Sequence, residues 1–189
     1  MSADTEIAVD RRLEKTRTAI VAAFLELLFD RPYGQVTIAA IVERANVGRS
    51  TFYEHFTGKD DLLRRGLAGP LSVIASTVRR DTSPADLVDT LKHFRDNQRI
   101  ARVLLQTAAR QSFSRVLAAE IEAALGDLRP LSRLPVSIVA SQIGAALQAA
   151  LEPWILGQVP ATAETLAEAL CRTGQTMAAG LLTGRSVRS

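Results

Sequence analysis

The sequence predicts an all-α fold of about nine helices, and three observations carry that prediction. Of 189 residues, 47% are hydrophobic, enough for a continuous core. Gly and Pro are sparse, at 11 and 7, while Ala and Leu are abundant. Apolar residues recur three or four apart, and β-branched residues rarely alternate with polar ones, which disfavours a sheet-based enzyme fold.

The elements follow in order. A first helix is expected from about Arg11 to Phe29, with Leu13, Ile20, Phe24, Leu27 and Leu28 on one apolar face. Asp30-Arg31-Pro32-Tyr33-Gly34 ends it, because proline cannot extend the hydrogen-bond ladder and glycine frees the chain to turn. A short second helix starts after Thr37, which can cap it, and runs through Ile38, Ile41 and Val42 to about Ala45. Asn46-Val47-Gly48 makes the next break, and a third helix covers Arg49 to Phe56. A fourth begins at Lys59 and extends towards Arg79. Asp81-Thr82-Ser83-Pro84 punctuates the middle of the chain, and a fifth helix starts there and passes through Leu87, Leu91 and Phe94. Shorter helices fit Gln98 to Ala109 and Ser112 to Leu125, followed by a loop from Arg129 to Leu134. Two long helices, Pro135 to Gly157 and Ala161 to Leu182, close the chain.

The informative segment is Thr37 to Leu63, TIAAIVERANVGRSTFYEHFTGKDDLL. Two short helices joined by a three- or four-residue turn describe a helix-turn-helix, whose second helix enters the major groove of DNA. Ala39 and Ala40 are small where helices approach, and Asn46 tolerates the left-handed backbone of the turn. Gly48 is an acceptable cap for the next helix. Phe52 and Phe56, four apart, share one face that packs inward. That leaves Arg49, Ser50, Thr51, Tyr53 and His55 on the accessible sides. Arginine can make two bonds to guanine, a hydroxyl can bond a base edge or a phosphate, and a tyrosine ring can meet a thymine methyl. Lys59 starts the next helix, where its ammonium and the free backbone N–H groups can hold a phosphate. The net charge of +3 is too mild to argue for DNA by itself, and residues 1–66 hold ten Lys or Arg against ten Asp or Glu. The placement of the cations, not their number, carries the reading.

This segment, with its TFY-x-HF core and following lysine, resembles the TetR-family signature over about the first 66 residues. The resemblance implies a three-helix DNA-binding head, a larger helical ligand-binding and dimerisation body, and a homodimer built by the last two helices. Residues 1–58 are expected to form the helix-turn-helix domain and 59–189 the body. The resemblance further suggests that Thr37 and Lys59 hold phosphates while Arg49, Ser50, Thr51, Tyr53 and His55 face operator DNA. Asn46 stands where the family commonly has glycine, and Gly48 where serine is common, which weakens one cap or phosphate contact.

The remaining features fit a cytoplasmic regulator without cofactor or metal. Cys171 is the only cysteine, so one chain forms no internal disulfide and no Cys-based zinc site; it reads as a small buried thiol. The first fifteen residues lack the apolar core of a signal peptide. Leu134 to Leu151 carries no charge over eighteen residues, but Ser137, Ser141, Gln142 and Gln148 interrupt it, so a buried helix is expected and not a membrane span. His93 has no second histidine at ligand spacing, and no nucleophile elbow or phosphate-cradling loop suggests an enzyme. Asp60-Asp61 and the Asp86/Asp89 pair read as charges near helix starts.

In the body, Leu91, Phe94, Leu104, Leu105, Phe113 and Trp154 are candidate walls of a pocket for an unidentified small-molecule effector. With aromatics at 5% of the chain, an aliphatic cavity is favoured over a stacked aromatic one. Arg99, Arg102 and Arg110 are the cations an acidic ligand would meet. For the dimer, Val136, Ala140, Ile143, Leu147 and Leu151 are expected to face Leu166, Leu170, Met177 and Leu181, so that four helices from two chains form a bundle. The leading expectation is a repressor released from a palindromic operator by a ligand. The alternatives are an activator or ligand-independent DNA binder, and a helical interaction module without DNA binding.

Overall fold

The computed structural model describes residues 3–106, 109–126 and 134–182, and among them every regular element is helical. The elements are α1 (Ala3–Asp30), α2 (Ile38–Arg44), α3 (Arg49–His55), α4 (Lys59–Ala75), α5 (Ala85–Asp96), α6 (Gln98–Gln106), α7 (Ala109–Leu125), α8 (Val136–Ile155) and α9 (Ala163–Leu182). Single 3-10 turns occupy Tyr33–Gln35 and Ser76–Val78. The expected loop at 129–133 lies outside the described residues. Two compact units divide the chain, Met1–Gly66 and Leu67–Ser189. That boundary lies inside α4, eight residues beyond the expected 58, because Leu62 and Leu63 are buried and Lys59 and Asp61 bond back to residues 33–57.

In the first unit, α1 begins at Ala3, a full two turns before the expected Arg11. Its buried face includes Ile20, Phe24, Leu27 and Leu28, whereas Leu13, placed on that face by spacing alone, is 46% exposed. The Thr37 hydroxyl accepts from the Ala40 amide at 3.2 Å and so caps α2. α2 ends in a Schellman motif: the Asn46 amide donates to the Glu43 carbonyl at 3.2 Å and the Val47 amide to Val42 at 3.0 Å. Asn46 has φ 52°, the left-handed conformation that the turn needs. Arg44 ties α2 to α1 through Glu26 at 3.2 Å and Asp30 at 3.4 Å.

In the second unit, α8 packs against both α7 and α9. Gly157, with φ 75°, closes α8 in a second Schellman motif. The turn Ser76–Val78 lies against α9 so closely that a Cβ on Gly174 would stand 2.7 Å from the Thr77 carbonyl oxygen. Gln175 adds amide bonds to the carbonyls of Arg79 and Thr82, both at 3.2 Å. Among the described residues no helix is long and apolar enough to cross a membrane.

Most of the stripe expected at the dimer interface is already buried by the chain's own helices. Ala140, Ile143, Leu147 and Leu151 are fully buried within the single chain, and Leu166 and Leu170 are 7% and 1% exposed. Side chains consumed by their own core present no surface to a second copy. Only Val136, Met177 and Leu181 of that set stay partly exposed. The outward face of α8 carries Ile138, Ser141, Gln142, Ala145 and Ala149 instead, and that of α9 carries Glu168, Ala169, Arg172 and Thr176.

Candidate nucleic-acid interface

The third helix is held from behind. Phe52 and Phe56 are 0% and 1% exposed, with ring centroids 5.7 Å apart. The Tyr53 ring meets Phe52 edge-on at 5.4 Å and is itself 48% exposed. A surface aromatic braced this way loses little further side-chain freedom when a partner lands on it. Arg49 and Ser50 are exposed, and Thr51 and His55 are half-buried. Gly48 caps the helix with extended backbone and, having no side chain, no capping oxygen.

The cations of this unit differ in how they are engaged. Arg44 is paired with α1 as described. Arg64 and Arg65 both bond the Asp61 carboxylate, Arg65 through Nε at 3.1 Å to each oxygen. Arg65 also stands over the Phe56 ring at 5.8 Å. Arg49, among the described residues, makes no ion pair and no side-chain hydrogen bond. An exposed, uncommitted guanidinium on a groove-sized helix can turn to a base edge or phosphate without first breaking a bond.

Asp61 is a buried carboxylate, with a side chain only 8% exposed. Burial pushes its carboxyl up, but the Thr57 amide at 3.1 Å and the Arg65 and Arg64 guanidiniums outweigh that and hold it below the ordinary aspartate value. The Asp61–Thr57 bond closes the turn between α3 and α4. Sequence reasoning took Asp60-Asp61 only as charges at a helix start and missed this. A carboxylate two positions after the first residue of a helix is a recognisable N-terminal signal.

Lys59 departs most from expectation. Its ammonium donates to the carbonyl oxygens of Tyr33 at 3.0 Å, Val36 at 3.1 Å and Gly34 at 3.5 Å, and lies 4.6 Å from the Tyr33 ring centroid. Tyr33 is 6% exposed, packs edge-on against Phe24 at 6.3 Å, and donates its hydroxyl to the Asp60 carboxylate. Two carbonyls at close range and a third at the limit of hydrogen bonding thus surround the ammonium. Tyr33 entered the sequence reading only as part of a helix stop, although a large aromatic inside a Pro-Tyr-Gly turn is itself a sign of buried anchorage.

In the second unit the six candidate pocket residues are all buried: Leu91 at 0%, Trp154 at 1%, Leu105 and Phe113 at 2%, Leu104 at 5% and Phe94 at 7%. Trp154 donates its indole N–H to the Ala161 carbonyl at 2.8 Å, and Arg95 stacks on its ring at 4.5 Å. Arg110 forms a two-pronged pair with Glu152 at 2.8 and 3.0 Å, and Arg102 reaches the Leu156 carbonyl at 3.4 Å. A shallow, mainly apolar hollow of about 300 Å³ lies between α4 and α5, bounded by Gly69, Pro70, Val73, Asp89, Thr90 and His93. Sequence reasoning did not single it out. Cys171 is buried, and burial followed by the charge of Asp86 pushes its thiol up, which disfavours the thiolate.

Comparison with known proteins points the same way. The family model described as bacterial regulatory proteins, tetR family, matches residues 20–65. An uncharacterized HTH-type transcriptional regulator, YxbF, of Bacillus subtilis (strain 168) is 39% identical over 62 residues, which make up 32% of this chain and 16% of that relative. The chain therefore matches less than a fifth of that protein's length. Among solved structures, a TetR transcriptional regulator from Streptococcus agalactiae 2603V aligns over 89% of this chain and 98% of its own, with 27% identity and a TM-score of 0.55. A putative TetR-family regulator from Syntrophomonas wolfei covers 91% and 99%, at 23% identity and a TM-score of 0.54, and shows likeness of fold.

Proposed function

We propose that this chain is a repressor of the TetR family, not an enzyme, which binds a palindromic operator as a homodimer and leaves it when a small molecule enters its body. One observation carries the DNA-binding part: α3 presents Arg49, Ser50 and Tyr53 outward from a base of two buried phenylalanines. Thr51 and His55 flank that surface, and the exposed Thr37 cap offers a hydroxyl to a phosphate. The family shares operator binding by dimers, so the second copy follows from the reading of a palindrome. The outward faces of α8 and α9 supply its interface, with Ile138 and Ala145 on α8 and Ala169 and Thr176 on α9. This replaces the buried stripe expected from spacing. The effector is assigned to the buried apolar cluster of Phe94, Leu104, Leu105, Phe113 and Trp154, with Leu91. It regulates only if it binds the two states of the dimer unequally.

A footprint on the DNA upstream of its own gene tests the proposal. Two protected half-sites about one helical turn apart, or a multiple of it, are expected. Arg49→Ala weakens the protected site by about 1–3 kcal/mol and relaxes preference at one base pair. A uniform, sequence-blind loss of binding on Arg49→Ala removes the base-reading role, and no protected site at all removes the regulator.

A further inference from the structure

We propose that Lys59 is a positioning residue and not a phosphate ligand: it clamps the turn between α1 and α2 and, through that turn, sets the entry to the helix-turn-helix. The inference rests on the operator-binding reading above but reverses the role that resemblance gave this lysine.

The ammonium is held by one stretch of backbone. The three carbonyl oxygens that receive the ammonium, those of Tyr33, Gly34 and Val36, belong to one short turn. Within the turn the Gln35 amide donates to Pro32 at 2.8 Å and the Val36 amide to the Tyr33 carbonyl at 3.2 Å, so the carbonyls of Gly34 and Val36 look to the lysine. A turn whose carbonyls converge leaves a concentrated negative potential, and a buried unpaired carbonyl is costly, so a cation is the natural plug. Lys59 fills it from the first residue of α4. The neighbouring Asp60 accepts the Tyr33 hydroxyl, and the Tyr33 ring lies under the ammonium and against Phe24. One dipeptide of α4 thus grips both the backbone and the side chain of the turn. The gripped segment ends at Val36, and the next residue is Thr37, whose hydroxyl caps α2. For the ammonium to reach a phosphate it would have to leave two carbonyls at 3.0 and 3.1 Å. A cation that releases protein bonds on meeting DNA gains less than one that is free, which is the condition of Arg49.

Two measurements on the full chain separate a clamp from a phosphate hand. In the free protein, Lys59→Met keeps an apolar stem but removes the donors. Amide exchange at Gln35, Val36 and Ala40 is expected to quicken about tenfold or more, the scale of one lost charge-assisted bond. The amides of Phe52 and Phe56 in the same unit stay as protected as in the parent, which a general loss of stability does not allow. On operator DNA, the variant is expected to bind about tenfold more weakly with the salt slope unchanged, whereas loss of a phosphate contact lowers the slope by about one. Tyr33→Phe, which leaves the ammonium in place, should act in the same direction, and the double variant should lose less than the product of the two. Unchanged exchange at the turn, a slope lower by about one, or independent effects of the two substitutions each overturn the clamp. If the parent binds no operator, the regulator reading fails, while the exchange measurement still decides the clamp.

Discussion

Helix α3 buries one of its seven residues, Phe52, with Phe56 just past its end, whereas α8 buries nine of its twenty. Both show apolar residues at spacings of three and four, and the physical meaning of that spacing differs between them. In α3 the stripe is two rings wide and anchors a short helix, so whatever chemistry the helix has must lie on its other sides. In α8 the stripe of Ala140, Ile143, Leu147 and Leu151 is the middle of a core shared with α7 and α9. Periodicity says that a face is buried; it does not say whether a neighbour in the same chain or a second copy buries it. For a surface helix the exposed residues are informative, and for a core helix the informative residues are the few that escape the stripe, such as Ile138, 45% exposed.

The sharpest way to break this comparison is to remove one side chain from each stripe. Phe52→Ala empties the support of α3 and is expected to cost about 3–5 kcal/mol, abolishing operator binding while the second unit keeps its helical signal on thermal unfolding. Leu147→Ala should cost about 2–5 kcal/mol by the same cavity logic, but in the second unit. If Leu147 instead belonged to a dimer seam, the substitution would raise the dimer dissociation constant and spare the stability of the monomer. Ile138→Asp makes the opposite prediction: sedimentation shows monomer where the parent is dimer, with the fold intact. A dimer that survives Ile138→Asp removes the outward-face interface. Gly174→Ala comes next. Alanine is favoured over glycine inside a helix by about 1 kcal/mol, yet here its Cβ would meet Thr77 backbone atoms at 2.7 and 2.8 Å. Displacing backbone outweighs propensity, so a net loss of about 1–3 kcal/mol is expected in urea unfolding.

The fold was legible because its signals are local. Pro32, Asn46, Gly58 and the Asp81–Pro84 run stop helices by backbone chemistry that no distant residue overrides, and Asn46 adopts the positive φ that the turn requires. The inward rings and outward polar groups of α3 were legible for the same reason. What escaped was everything that depends on a partner far along the chain. Lys59 and Tyr33 are 26 residues apart and Arg110 and Glu152 are 42 apart, and nothing in spacing announces either pair. Spacing also cannot say which partner Lys59 takes, because a lysine at a helix start serves a phosphate and the carbonyl end of a turn equally well.

Two depressed carboxylates near helix starts, one in each unit, carry the comparison to its smallest effect. Asp61 is held down by the Thr57 amide and two arginines despite its burial, and Glu164 by its own backbone amide, Lys92 and Thr162 while fully exposed. A carboxyl whose folded value lies below its unfolded one stabilises the protein above the unfolded value, and that stability is lost as pH falls through the folded one. For Asp61 the contribution is complete at about pH 5 and above and fades below about pH 4. Asp61→Asn should therefore lower the unfolding midpoint at pH 7 by an amount worth about 1 kcal/mol. The gap between variant and parent should narrow as the pH is brought to about 3. Glu164→Gln should change that slope far less, since solvent screens an exposed carboxylate and its lysine. Equal acid slopes for the two variants would mean that the buried turn at Asp61 contributes no more to its unit than a surface ion pair does.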